Sequence, residues 1–312
     1  MTDLSDAPNT VIQVKGLTKH YGDLKAVDGI SFGVERGEVF GILGPNGAGK
    51  TTTLECIEGL LEPTSGTTGV LGIDTQRDPQ RVKERIGVQL QASAYFDYLT
   101  LKEILDLFGM FYDRRVEPLE LLEQVNLADR ANTTVNKLSG GQQQRFTIAA
   151  TLVNDPEVVF LDEPTTGLDP QARRSLWEFV QEINEAGRTV VLTTHYMEEA
   201  EFLCDRIAIM DRGKIVALDT PVKLVRSLPV PYQIRLGPEC LPYLDEMRRL
   251  AAVQDAVGED STARLLSADA SITVPALMEW AAGSDVKLTH LEVVPSNLED
   301  VFLSITGRAL RE

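Results

Sequence analysis

Short apolar runs separated by turn residues open the chain. Residues 11–14, 30–34 and 38–43 read as strands, with Gly22-Asp23 and Arg36-Gly37 as the turns between them. A glycine-rich loop follows, and residues 51–60 have helical spacing. Residues 64–91 return to short strands with glycine turns, ending at Ile86-Gly87-Val88. From about 100 to 152 the period lengthens. Leu101, Ile104, Leu105 and Phe108 recur at three and four, as do Leu119, Leu122 and Val125, which predicts helices. Strand patterns come back at 158–161, 189–192 and 206–210. Asp211-Arg212-Gly213-Lys214 then turns tightly into 215–218.

Leu228-Pro229-Val230-Pro231 breaks this pattern and predicts a boundary between domains 1–228 and 229–312. Beyond it, strands are expected at 232–236, 263–266 and 286–294, and helices at 241–250, 275–282 and 298–306. The fold class is α/β, with a mostly helical insert at about 92–152 and a small C-terminal α+β domain.

Composition narrows the function classes. Of 312 residues, 43% are hydrophobic and 25% charged, ordinary for a globular chain of one or two domains. Against 47 Asp and Glu stand 30 Lys and Arg, a net charge of −17, which repels phosphate backbones and argues against nucleic acid as a partner. The polar stretch 1–10 does not read as a signal peptide, and no run of ~18 apolar residues could cross a bilayer. Cys56, Cys204 and Cys240 lack metal-ligand spacing and read as buried thiols.

Gly44-Pro45-Asn46-Gly47-Ala48-Gly49-Lys50-Thr51 satisfies G-x-x-x-x-G-K-[ST] between a strand and a helix start. The glycines let backbone N–H groups turn toward phosphate oxygens, and the helix N-terminus adds partial positive charge. Lys50 is placed to reach the β- and γ-phosphates of ATP, and the Thr51 hydroxyl, followed by Thr52, to ligate Mg²⁺. Residues 158–161 form a buried strand ending in Asp162 and Glu163. Strand alternation predicts that the two carboxylates point to different sides. Asp162 is expected to hold Mg²⁺ and Glu163 to polarise the attacking water.

Leu138-Ser139-Gly140-Gly141-Gln142 precedes the helical run 142–152 and reads as a second anion-binding helix start. Here the chain resembles the ATP-binding cassette family, over roughly residues 11–224 and in seven motifs. The resemblance implies a P-loop NTPase (RecA-like) core that hydrolyses ATP with Mg²⁺. It implies that Tyr21 stacks on adenine, that Gln91 (with Gln89 the other candidate) senses Mg²⁺ and the transport partner, and that His195 contacts the γ-phosphate. It also implies that Asp169, in Gly167-Leu168-Asp169, couples two sites. ATP is then sandwiched between the phosphate loop of one chain and the Ser139 segment of a second copy, a homodimer. The aromatics Tyr95, Phe96 and Tyr98 lie where the family receives a short helix from its membrane subunit.

Lacking a span, the chain is expected at the cytoplasmic face of the cell membrane, bound to a separate polytopic permease. The tail from Pro295 to Gly307 resembles that of bacterial drug-resistance and lipid or antibiotic exporter ATPases. It also reads as an amphipathic helix with Leu298, Val301, Phe302 and Ile305 on one side. The rivals are an importer ATPase and a soluble, non-transport cassette protein. A translation-factor type would carry two phosphate loops, and a DNA-repair type a coiled coil or zinc cysteines.

Overall fold

The computed structural model describes residues 9–89, 95–259 and 262–307, in two compact units that part between Thr220 and Pro221. In the first unit β1 (Thr10–Tyr21) and β2 (Leu24–Glu35) form a long antiparallel hairpin around Gly22 at φ 60°. With β4 (Ser65–Val70) and β5 (Ile73–Asp74) they make a sheet of order β2-β1-β4-β5.

The second sheet carries the chemistry. Its strands are β3 (Val39–Leu43), β6 (Ile86–Gln89), β7 (Val158–Asp162), β8 (Thr189–Thr194), β9 (Arg206–Asp211) and β10 (Lys214–Asp219), in the order β10-β9-β3-β8-β7-β6. All neighbours run parallel except the β9–β10 hairpin. β3, β7 and β8 are buried at every position, as central parallel strands covered on both faces must be. Helix α1 (Lys50–Ile57) lies between the sheets, and its Leu54 and Ile57 share a core with Ile12, Leu17, Phe40 and Phe160. Phe32 stacks on Phe40 across that core, with centroids 5.2 Å apart.

A five-residue helix, α2 (Pro79–Lys83), interrupts the stretch expected to be only strands. Pro79 at its first position accounts for it, since the fixed φ suits a helix start. In the insert, α3 (Leu101–Gly109) begins with a reciprocal capping box between Thr100 and Glu103. It packs with α4 (Pro118–Gln124) and α5 (Gly140–Thr151). The buried stripe of α4 is Pro118, Leu121, Leu122 and Val125, at i, i+3, i+4 and i+7, so Leu119 is turned outward, contrary to its apolar spacing. Two further helices, α6 (Pro170–Glu185) and α7 (Met197–Leu203), complete the unit.

The second unit holds α8 (Pro221–Arg226), β11 (Tyr232–Leu236), α9 (Leu244–Met247), β12 (Val253–Glu259), β13 (Thr262–Ser267), α10 (Ala270–Gly283), β14 (Leu291–Pro295) and α11 (Leu298–Thr306). From β11 to β14 the order is β-α-β-β-α-β, and the antiparallel sheet runs β12-β13-β11-β14, the split βαβ arrangement of ferredoxin-like folds. The helix expected at 241–250 is confined to α9, because Pro242 restricts the preceding segment to a 3-10 turn. α10 starts five residues before the expected Pro275, because Asp269 caps it by accepting from the Ser271 N–H at 2.9 Å. The strand expected at 286–294 is shorter, Leu291–Pro295.

Candidate active site

The glycine-rich loop leaves β3 at Leu43 and enters α1 at Lys50. Two of its glycines are fixed by space. A Cβ on Gly44 would lie 2.4 Å from the Met210 carbonyl oxygen, and one on Gly49, at φ 103°, would lie 2.3 Å from the Ala26 carbonyl oxygen. Gly49 occupies the N-cap position without a side-chain cap, and the first turn of α1 carries no acidic residue. The N–H groups there keep their partial positive charge for a ligand. Asn46, Gly47, Gly49, Lys50, Thr51, Thr52 and Glu163 line a cleft of about 280 Å³.

Lys50, 4% exposed, donates from Nζ to the Gly44 and Pro45 carbonyls at 2.9 and 3.3 Å and pairs with Glu163 Oε1 at 3.0 Å. Thr51 Oγ1 donates to Asp162 Oδ1 at 3.3 Å. Both carboxylates therefore turn toward the phosphate loop, against the alternation expected of a strand. The cause is local: β7 ends at Asp162, and Glu163 adopts φ 48°, which swings its side chain back over the loop.

Sequence reasoning missed the residue that holds this turn. Thr193, near the end of β8, donates its hydroxyl to Asp162 Oδ1 and accepts the Glu163 N–H at 3.0 Å. Its signal was present as a hydroxyl pair, Thr193-Thr194, closing an otherwise apolar strand. Thr166 Oγ1 donates to Glu163 Oε2 at 3.1 Å. His195 Nδ1 lies 3.2 Å from the same oxygen, although outside hydrogen-bond geometry. Burial alone would push the Glu163 carboxyl up, but Lys50, His195 and Thr166 outweigh it and hold the carboxyl below its ordinary value. It is a carboxylate at neutral pH.

The other expected site residues lie elsewhere. Tyr21 ends β1, 48% exposed, with the Lys19 ammonium 5.3 Å from its ring centroid. Ser139 caps α5, accepting from Gln142 N at 3.3 Å while Gln142 Oε1 accepts from Ser139 N at 3.0 Å. The Gln142 side chain is thus committed to the cap. Gly141 is packed close to Ala172, whereas a side chain at Gly140 would meet nothing within 4 Å. Gly140 lines a separate cleft with Gln89, Thr166, Gly167 and Leu168, and Asp169 caps α6 by accepting from Gln171 N and Ala172 N. Gln91 lies outside the described residues. Gln89 ends β6, buried, with Oε1 unpartnered. Tyr95 packs edge-on against Phe146 at 5.3 Å, whereas Phe96 and Tyr98 are exposed. Tyr95, Phe108, Phe111 and Tyr112 line a further cavity of about 560 Å³.

An anion cradle, a lysine, and two carboxylates braced against it are the parts of a nucleoside-triphosphate hydrolase. Residues 27–166 match the family model for the ABC transporter. The chain is 38% identical to the linearmycin resistance ATP-binding protein LnrL of Bacillus subtilis over 97% of this chain and 100% of that one. It is 39% identical to the Nod factor export ATP-binding protein I of Ralstonia nicotianae over 97% of this chain and 95% of that one. Among solved structures it resembles the ATP-binding cassette MJ0796 in its dimeric post-hydrolysis state with ADP and Pi. The TM-score is 0.61 and the identity 30%, over 67% of this chain and 98% of that one. The chain belongs to the ABC transporter family, as an ATP-binding subunit that hydrolyses ATP.

Proposed function

We propose that this chain powers the export of an antibiotic, drug or lipid-like compound through a separate polytopic transmembrane subunit, from the cytoplasmic face of the cell membrane. The observation that carries the reading is similarity across nearly the whole chain, C-terminal unit included, to subunits named for linearmycin resistance and for Nod factor export. Among the described residues no helix is long and apolar enough to cross a membrane, consistent with a separate partner for that task. The exposed Phe96 and Tyr98, close in sequence to Tyr95 of the aromatic cavity, suit a protein contact there. The C-terminal unit is an accessory domain.

The working unit is a homodimer. Within one chain the phosphate loop and the start of α5 line separate clefts. A complete site then takes the loop of one copy and Ser139, Gly140 and Gly141 of the other, with Asp169 near the junction. Thr51 and Asp162 offer Mg²⁺ two hard oxygen donors, which suits an ion that takes its remaining ligands from water and substrate phosphates. Tyr21 stacks on adenine, and Gln91 completes the metal side.

The three donors of Lys50 are all engaged, by Gly44 O, Pro45 O and Glu163. To reach a phosphate it must release one. Releasing Glu163 frees that carboxylate to take a proton from water, beside His195. The test is purification of the chain from detergent-solubilised membranes of its host. A polytopic membrane protein at fixed stoichiometry, without a solute-binding component, is expected. Recovery with a periplasmic or lipoprotein binding component would make the chain an importer motor and overturn the proposal.

A further inference from the structure

Glu199 is an acidic residue on α7 with 0% exposure, behind the site and not among the residues assigned above. Its Oε1 accepts from Trp177 Nε1 of α6 at 3.0 Å, and Trp177 stacks on Phe202 with centroids 5.1 Å apart. The hydroxyls of Thr194 and Thr165 are near enough to bear on its protonation, as is the charge of Arg173. Burial is the larger influence and leaves the carboxyl above its ordinary value.

These neighbours belong to three different pieces of the site. Thr194 closes β8, directly before His195; its hydroxyl accepts the Tyr196 N–H at 2.9 Å, and its carbonyl accepts the Gly44 N–H of the phosphate loop at 3.2 Å. Thr165 lies in the turn after Glu163. Trp177 and Arg173 lie on α6, the helix that Asp169 caps, and the Arg173 guanidinium sits 4.0 Å from the Tyr196 ring centroid. Yet the bonding is incomplete. Glu199 Oε2 and Thr165 Oγ1 are both buried, and neither has a hydrogen-bond partner in this arrangement. The Thr165 hydroxyl is nevertheless near enough to lower the Glu199 carboxyl, so two buried polar atoms, each able to satisfy the other, mark a contact that better alignment of the 163–168 turn would complete.

We propose that Glu199 is a positioning residue for ATP hydrolysis: by taking the Thr165 hydroxyl on Oε2 while Trp177 holds Oε1, it locks the turn carrying Glu163 against the strand end carrying His195. The inference rests on the assignment of Glu163 and His195 made above. It requires no new chemistry, only that a shift of the turn completes one hydrogen bond. Misplacement of a reacting group by about 1 Å is enough to lower a rate by ~10²-fold, so loss of the lock shows in kcat.

The test uses the full chain with MgATP and four variants: Glu199→Gln, Thr165→Val, the double variant, and Glu163→Gln as reference. Glu199→Gln keeps an acceptor for Trp177 and nearly the same shape but turns a donating NH2 toward Thr165, which reverses the contact, whereas Thr165→Val removes it outright. Thr165→Val removes a hydroxyl that is unpaired here, so its melting temperature is expected to hold or rise. Thr165→Val is expected to lower kcat by roughly tenfold with KM for ATP within about twofold, Glu199→Gln to lower it by no more than that, and the double variant to be no slower than Thr165→Val alone. Unchanged kcat in both single variants would overturn the proposal, as would losses that multiply in the double variant. A fall in kcat that merely tracks a lower melting temperature would do the same, since it would make Glu199 structural. Wild-type turnover by Glu163→Gln would instead sink the reading of the site itself. The two failures are therefore distinguishable.

Discussion

Glu58 provides a stability test whose size follows from its surroundings. It caps the C-terminal end of α1, is 2% exposed and lines the aromatic cavity. Burial first, then the charges of Asp162 and Glu55, push its carboxyl from 4.5 up to about 8. The folded value lies above the unfolded one, so the folded chain binds this proton more tightly. The stabilisation is complete below the unfolded value and is lost as pH rises through the folded one. Between them the slope is about 1.4 kcal/mol per pH unit, so from about pH 6 to about pH 8 the wild type loses roughly 2 to 3 kcal/mol through this group. For a unit of this size that corresponds to roughly 4 to 12 °C in melting temperature. Glu38, Glu55 and Glu199 are raised as well, so the wild-type slope alone does not isolate Glu58. The difference from Glu58→Gln does, because the amide keeps the shape and cannot ionise. Melts of both proteins across this range are expected to diverge steadily, the variant gaining on the wild type as pH rises. Parallel melting temperatures would refute the reasoning.

Glu163→Gln is expected to keep ATP binding and lower phosphate release by ~10²- to 10⁴-fold, with a closed dimer accumulating on size exclusion; rapid turnover would remove Glu163 as the base. Lys50→Ala should weaken nucleotide binding and also lower the melting temperature, because Glu163 loses its buried counter-ion, and unchanged affinity in a titration would count against its role at the phosphates. Gly49→Ala should instead unfold the loop, since its Cβ would fall 2.3 Å from a backbone oxygen at φ 103°; a loss of about 1–3 kcal/mol by denaturant titration is expected. Gly140→Glu has open space for its side chain and should fold, yet its carboxylate would oppose a phosphate. Mixed with Lys50→Ala, it should recover ATPase activity above either variant alone, because the mixed dimer retains one complete site. No recovery would argue against a site shared between copies.

The parts legible in the sequence are those where chemistry or burial leaves few choices. A phosphate cradle needs glycine at Gly44 and Gly49 because backbone oxygens stand where a Cβ would go. Central parallel strands need unbroken apolar runs, which is why β3, β7 and β8 were readable. Legibility failed where tertiary contacts decide. β12, Val253–Glu259, carries Gln254, Asp255 and Gly258 and looks like a loop; it becomes a strand because β13 pairs along it. Glu58 follows the last turn of α1 and Glu199 sits on α7, places where a carboxylate normally reads as a solvated face. Only the packing of α1 between sheets, and of α7 against Trp177, reveals that both are buried.

The two carboxylates after β7 show why a correct motif still left the geometry open. Strand alternation would send Asp162 and Glu163 to opposite faces, and the site needs both at one loop. The chain resolves the conflict with a left-handed residue, a conformation that disfavours a side chain such as glutamate by about 1–2 kcal/mol. The restraint must come from outside the motif. Thr193 supplies it by accepting the Glu163 N–H while donating to Asp162, and Lys50 and Thr166 hold the two carboxylate oxygens. Each tether comes from a different segment: β8, the start of α1, and the turn before α6. The position of the Glu163 carboxylate is therefore a property of three elements at once, so a shift of any one of them would move it.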